Sequence, residues 1–219
     1  MPPVNETPEL ACNALASPAP GEYLHFMRGP ERQVKFRKLR HYDIHGHAHY
    51  LTFSCWQNRP FLSTDRARQW FMEALEHARA AHPFDLWAWV IMLEHVHMMV
   101  LPHEGVRISV LLKSLKQRVA WRATAWVKEN RPEMLASMLD RQPSGRCCYR
   151  FWQPGTGYDR NIWIAKELHE KIVYIHANPV RRGLASEPNG WPWSSWHAWE
   201  SGQDVPIRID RETLPQLVT

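Results

Sequence analysis

The chain has 219 residues, 44% of them hydrophobic and 12 of them Trp, enough apolar surface for one sizeable core. Lys and Arg outnumber Asp and Glu by 27 to 22, a mild basic excess that favours polyanionic partners without establishing one. No apolar run is long enough to span a membrane, the N-terminus lacks a leader pattern, no fixed-period repeat is visible, and Cys12, Cys55, Cys147 and Cys148 are not at zinc-ribbon spacing; they read as reduced thiols of a cytoplasmic protein.

Residues 1–27 are rich in Pro and Ala without a sustained period and read as a poorly ordered extension. A basic run follows, Arg28, Arg32, Lys35, Arg37, Lys38 and Arg40, which is either a solvated tether or an arm that tracks phosphates. The alternating histidines of "HGHAH" (His45, His47, His49) are separated by Gly46 and Ala48, which would not anchor a strand, so the segment reads as a loop. "HYLTFSCWQNRPFL" (49–62) has strand composition and runs into a Pro turn; Asp65 is placed to cap the helix that follows it.

"FDLWAWVIM" (84–92) and "HVHMMVL" (95–101) read as two strands joined by a short link, a hairpin whose second strand lies inside the sheet. Residues 107–130 have helical period, with Ile108, Leu111, Leu112, Leu115, Val119 and Trp126 on one face and Lys113, Lys116 and Gln117 on another. Residues 131–150 look irregular with a basic end at Arg141, Arg146 and Arg150, and "FWQPGTGYDRNI" reads as a short strand with a Gly turn that holds Tyr158. "AKELHEKIVYIHANPV" is a helix stopped by Pro179 and Gly183, and "WPWSSWHAW" is an aromatic cover. The element order gives an α+β fold, an antiparallel sheet with helices on one side.

Two patterns carry chemistry. His95 and His97 flank Val96 in a strand, so both project to one face, where they are either a metal-binding pair or polar residues on a wet surface. In the last helix Ile164, Leu168, Ile172 and Ile175 form a core stripe. Glu167, Lys171, Tyr174 and Asn178 form a second stripe, on which Tyr174 and Asn178 are neighbours. Read alone, these two are a boundary Tyr and a helix-end Asn. His176 reads as packing.

Taken together, "EHVHMMV" followed downstream by "YIHANPV" resembles the HUH endonucleases, with Val96 as the bulky middle residue. More narrowly it resembles the single-tyrosine transposases of insertion sequences, and within them the REP-associated tyrosine transposases. The resemblance covers about residues 36–200 and also rests on "HYLTFSCWQNRPFL", "FDLWAWVIMLEHVHMMVLP", "FWQPGTGYDRNI", "YIHANPVRRGL" and "WPWSSW". It implies a central antiparallel sheet with helices packed on it (HUH endonuclease-like, of ferredoxin or RRM type), the HUH on an inner strand and the nucleophile helix close by. It implies His95, His97 and Asn178 as ligands of Mg²⁺ or Mn²⁺ and Tyr174 as the nucleophile that forms a 5′-phosphotyrosine.

The implied partner is single-stranded DNA carrying a hairpin, such as a REP-like palindrome. Phosphates would be tracked by Arg28, Arg32, Lys35, Arg37, Lys38, Arg40, Lys113, Lys116 and Lys171. The implied setting is the bacterial cytoplasm, associated with the nucleoid, with no membrane partner, as a monomer or homodimer. The domain reading is an extension over 1–27, a catalytic domain over 28–200 and a tail over 201–219. A catalytically idle hairpin-binding regulator and a metal hydrolase using water are the rival readings.

Overall fold

Alternation along the strands decides how this chain folds. In "HVHMMV", Val96, Met98 and Val100 are buried on one face, and His95, His97 and Met99 point to the other. A strand apolar on both faces must lie inside a sheet covered on both sides. The computed structural model of the chain shows this arrangement; it describes residue 44, residues 46–200, residue 202 and residues 206–216. The extension over 1–27, the basic run Arg28, Arg32, Lys35, Arg37, Lys38 and Arg40, and His45 lie outside the described residues.

The elements in chain order are β1 (Ala48–Ser54), α1 (Asp65–Ala81), β2 (Phe84–Ile91), β3 (His95–Pro102), α2 (Ile108–Asn130), the short α3 (Leu135–Met138), β4 (Leu139–Arg141), β5 (Cys147–Tyr149), β6 (Tyr158–Ile162), α4 (Ala165–Arg181) and α5 (Trp196–Glu200). The main sheet has the order β2-β3-β1-β6 and every pairing is antiparallel, so β3 is an inner strand. Helices α1 and α2 cover one face over Leu51, Phe53, Leu86, Trp89, Val96 and Met98. Helix α4 covers the other, where Leu168, Ile172 and Ile175 meet Tyr50, Trp87, Val90 and Met99. A register shift between Leu86 and Ala88 lets Trp87 join Ala88 on the α4 side. The fold is α+β as expected, with helices on both faces and not on one, because the strands are apolar on both.

The aromatic cover does more than shield apolar surface. It pairs with β2: Ile91 N donates to Trp193 O at 2.9 Å, Ser195 N to Trp89 O at 2.9 Å, and Trp89 N to Ser195 Oγ at 2.9 Å. The outer edge of β2 is thereby occupied and β3 is kept internal. His176 is buried against Trp196 and Trp199, its Nε2 2.8 Å from Ser195 Oγ, and burial lowers its pKa to about 3. Residues 206–216 return to the sheet, where Leu86 N donates to Asp210 Oδ2 at 2.8 Å and Arg79 pairs with the same carboxylate.

Several local expectations are corrected. Strand β1 ends at Ser54, because Trp56–Asn58 form a 3₁₀ turn with Gln57 and Asn58 at positive φ. It begins at Ala48, so the end of "HGHAH" is strand and not loop; His49 is buried and its Nδ1 lies 2.7 Å from Asp159 Oδ1. Thr64, not Asp65, caps α1, its hydroxyl accepting from Ala67 N at 3.3 Å. Part of the segment read as irregular forms the β4–β5 ribbon.

Tyr158 is not in the Gly turn but opens β6, opposite Thr52. Pro179 does not stop α4. It sits in the last turn, the helix runs on to Arg181, and Gly183 at φ 68° makes the left-handed exit. Ile164 is not in the core stripe; it precedes the helix and is 52% exposed.

Gly157 shows how closely the loop before β6 approaches β1. At φ 84° a Cβ there would lie 2.3 Å from the Thr52 carbonyl oxygen and 2.9 Å from Phe53 Cβ. Gly155 has the same φ of 84° with nothing within 4 Å of its virtual Cβ. Gly155→Ala is therefore expected to cost about 1–2 kcal/mol from backbone conformation alone. Gly157→Ala is expected to cost about 3 kcal/mol or more, because the backbone of β1 must also move. Urea denaturation of the two variants checks this, and equal losses would contradict it.

Candidate metal and tyrosine site

The register of β3 against β1 places Ser54 opposite His95 and Thr52 opposite His97. The two imidazoles project to the α4 side with Nε2 atoms 3.0 Å apart and ring planes at 83°. His97 Nδ1 lies 2.8 Å from Tyr50 Oη and 2.7 Å from Thr52 Oγ1. His95 Nδ1 lies 3.1 Å from Glu94 Oε1, which also accepts from Arg182 Nη2 at 2.7 Å. Burial holds His95 below the usual imidazole range, against the opposing pull of Glu94. Burial, with His95 and Lys171 nearby, holds His97 well below it. Burial likewise pushes the Tyr50 phenol up.

Helix α4 brings its second stripe onto this pair. The Tyr174 ring lies 6.0 Å from the His97 ring, edge-on at 81°, and 6.3 Å from the Tyr50 ring. Lys171 Nζ sits 5.4 Å from the centre of the Tyr174 ring and the Arg181 guanidinium 5.1 Å from it, so two cations flank the phenol. Burial, then the neighbouring Arg160, lowers the Lys171 pKa. Glu167, on the same stripe, pairs with Arg160 of β6 at 2.5 Å.

Asn178 is buried one turn beyond Tyr174 and one turn before Arg182. Tyr174 meets His97 and Arg182 meets Glu94, so Asn178 lies on the stretch of helix held against the histidine strand from both ends. Its Nδ2 donates to the Tyr174 carbonyl at 2.8 Å, which commits its nitrogen and not its oxygen. All of these contacts are made within one chain.

Other candidates fall elsewhere. Lys113 is exposed on α2. Lys116 turns inward and its Nζ donates to the carbonyls of Gln153 at 2.9 Å and Gly155 at 2.6 Å, with burial lowering its pKa to about 8. It fastens the loop before β6, a use the fold has for it independent of any ligand. Tyr158 comes closer to the site than a turn position suggests: His97, Thr52 and Tyr158 form one row across β3, β1 and β6, and the Tyr158 ring is 6.0 Å from Tyr50. Tyr50, Thr52, Glu94 and Arg182 are absent from the sequence reading. Only strand register and helix docking bring them to the histidines, although Tyr50 and Thr52 lie on the strand face that alternation would select.

The residues fit a divalent cation. Two ligands about 2.1 Å from one ion at a right angle are about 3.0 Å apart, the spacing of the two Nε2 atoms here. Each ring also has its Nδ1 engaged by another side chain, the usual support of a ligating histidine. Among the described residues no three His, Cys, Asp or Glu side chains gather; the third ligand that the family resemblance implies is the Asn178 amide.

Comparison with known proteins supports the same fold. The family model "Transposase IS200 like" matches residues 45–141, a segment that includes both histidines and ends before Tyr174. The REP-associated tyrosine transposase of Escherichia coli (strain K12) is 24% identical over 162 residues, 73% of this chain and 82% of that protein. A relative in Haemophilus influenzae is 26% identical over 167 residues, 67% of this chain and 88% of the relative. This chain is similar to the REP-associated tyrosine transposases over about two thirds to three quarters of its length. A solved structure of such a transposase bound to a REP hairpin matches 84% of this chain and 100% of its own, with TM-score 0.59 at 20% identity. The fold of that structure is thus shared. Among the described residues no helix is long and apolar enough to cross a membrane.

Burial of His97 has a measurable consequence. An imidazole in water titrates near 6.5, whereas the His97 ring is expected to remain neutral as pH falls from 7.5 through 6. A ¹⁵N-detected titration of the ring checks this, and a midpoint at or above 6.5 would contradict it.

Proposed function

We propose that the chain nicks and rejoins single-stranded DNA beside hairpins of REP type, with Tyr174 as the nucleophile and His95, His97 and Asn178 as ligands of Mg²⁺ or Mn²⁺. The observation that carries the reading is the seating of Tyr174, between Lys171 and Arg181, against the His97 ring of its own chain. The relative whose solved structure holds a REP hairpin supports the choice of partner.

The step balances simply. Tyr174 Oη attacks phosphorus in line, the Oη–P bond forms and the P–O3′ bond breaks. The phenolic proton passes to solvent and the departing 3′ oxygen takes one up, leaving a 5′-phosphotyrosine and a 3′-OH. Attack by a 3′-OH reverses the step and reseals a strand, because the phosphodiester energy is kept in the covalent link. A bound divalent cation would draw charge from the non-bridging phosphate oxygens. Lys171 and Arg181 place fixed positive charge beside the phenol, where the phosphate must dock. Helix α4 holds Tyr174 in place, so little rotational freedom remains to be lost during the attack.

Tyr158 is the second reading of the nucleophile, favoured by its place in the His97–Thr52–Tyr158 row. Its ring packs on Tyr50, it lies on a strand with no Asn one helical turn away, and among the described residues no Lys or Arg is stacked on it, so Tyr174 is preferred.

Labelled hairpin oligonucleotide with a single-stranded flank, incubated with Mn²⁺ and resolved on a denaturing gel, tests the reading. The wild type is expected to give a covalent adduct. Tyr174→Phe is expected to lose the adduct and cleavage by several orders of magnitude with little change in hairpin affinity, and Tyr158→Phe to retain both. Peptide mapping of the adduct then assigns the tyrosine. Cleavage by Tyr174→Phe without adduct would make water the nucleophile, and hairpin binding without any cleavage by the wild type would return the idle-regulator reading.

A chelator should abolish cleavage and spare binding, since affinity comes mostly from phosphate contacts away from the histidines. His97→Ala should do the same even with Mn²⁺ in excess. Undiminished cleavage in either case would contradict the metal assignment.

A further inference from the structure

We propose that Glu94, oriented by Arg182 at the C-terminal cap of the nucleophile helix, is a positioning residue that selects the tautomer of His95 and so makes this ring the fixed member of the histidine pair. The inference rests on the metal reading above for its purpose but not for its geometry. A carboxylate only accepts hydrogen bonds. Glu94 Oε1 lies 3.1 Å from His95 Nδ1, so that nitrogen carries the proton and Nε2 presents its lone pair toward His97. Arg182 Nη2 donates to the same Oε1 at 2.7 Å. The carboxylate is mostly buried, at 17% exposure, and therefore has few other orientations open to it.

His97 is arranged differently. Its Nδ1 meets two hydroxyls, Tyr50 Oη at 2.8 Å and Thr52 Oγ1 at 2.7 Å, and a hydroxyl can donate or accept. These groups tolerate either tautomer of His97. With one Nε2 fixed as an acceptor and the two Nε2 atoms 3.0 Å apart, the proton between them belongs to His97, and it can move to Nδ1 by rotation of the hydroxyls. One ring is thus fixed and the other adaptable. The fixed ring is tied through Glu94 to Arg182, the residue that caps the C-terminal end of α4. Docking of the nucleophile helix and presentation of the His95 lone pair are parts of one arrangement.

The test removes the acceptor and then restores it. In Glu94→Ala no oxygen faces His95 Nδ1, and the proton is free to pass to Nε2. In Glu94→Gln the amide oxygen can take the place of Oε1 and accept from both His95 Nδ1 and Arg182 Nη2. In ¹⁵N spectra of the folded protein without added metal, the protonated nitrogen of His95 is expected to be Nδ1 in the wild type and in Glu94→Gln, and to shift toward Nε2 in Glu94→Ala. Mn²⁺ affinity measured by electron paramagnetic resonance should fall about 10- to 100-fold in Glu94→Ala and return for the most part in Glu94→Gln. Removing Arg182 as well, in Glu94→Gln/Arg182→Ala, leaves the amide free to flip, and the two tautomers should then mix.

A role limited to holding the fold predicts the same His95 tautomer in every folded variant. That result, or a Glu94→Gln variant that loses the Nδ1 proton as Glu94→Ala does, would overturn the inference. A wild type that shows the Nδ1 proton but binds no Mn²⁺ would uphold the positioning and overturn the metal reading.

Discussion

The approach of His95 Nε2 to His97 Nε2 at 3.0 Å is the constraint on which the rest of the site depends. Two ring nitrogens at that distance can share one proton or bind one cation, but they cannot both carry protons pointing at each other. The surroundings keep both rings in the form that permits this. Burial disfavours the imidazolium, and Glu94, Tyr50 and Thr52 occupy the outer nitrogens. The distance itself follows from β geometry, since residues i and i+2 on a strand share a face.

A contact of this kind needs a rigid inner strand, and the architecture supplies one. β3 is hydrogen-bonded on both sides, to β1 and β2. The α1–α2 layer fills the far face with Phe71, Leu75, Leu111 and Leu115, all buried. The segment from Trp191 to Ser195 closes the outer edge of β2, with Trp191 Nε1 donating to the Ile91 carbonyl at 3.0 Å. The near face is left to α4, whose apolar stripe of Leu168, Ile172 and Ile175 sits on the sheet. That packing brings Lys171 and Tyr174 of the adjacent stripe beside His97. Truncating one of the large buried side chains, such as Trp89, would cost about 3–5 kcal/mol and would disturb the site through the strand that carries it.

Those parts of the molecule governed by periodicity were legible in the sequence. The hairpin of β2 and β3, the long α2 and the two stripes of α4 all come from spacing alone, whereas the joining of the His pair and Tyr174 in one site came from the family resemblance. Competition between near-equivalent signals obscured other parts. Thr64 and Asp65 are both good caps, and the hydroxyl that reaches Ala67 N belongs to the earlier residue. Pro179 reads as a stop, but in a final turn it forfeits little, and the helix ends where Gly183 permits positive φ. Tyr158 looks like a turn residue beside Gly157, and pairing of β6 with β1 makes it a strand residue. The partners of the histidines were least legible. Tyr50 and Thr52 are more than forty positions from His97 and Arg182 is 88 from Glu94, so they meet only through register and docking.

The most direct test of the account is the position of a cation in a crystal soaked with Mn²⁺. Anomalous scattering is predicted to give one strong peak about 2.1 Å from Nε2 of both His95 and His97, on the side of the strand that faces α4. Mn²⁺ bound only elsewhere, with the two Nε2 atoms still hydrogen-bonded to each other, would contradict it.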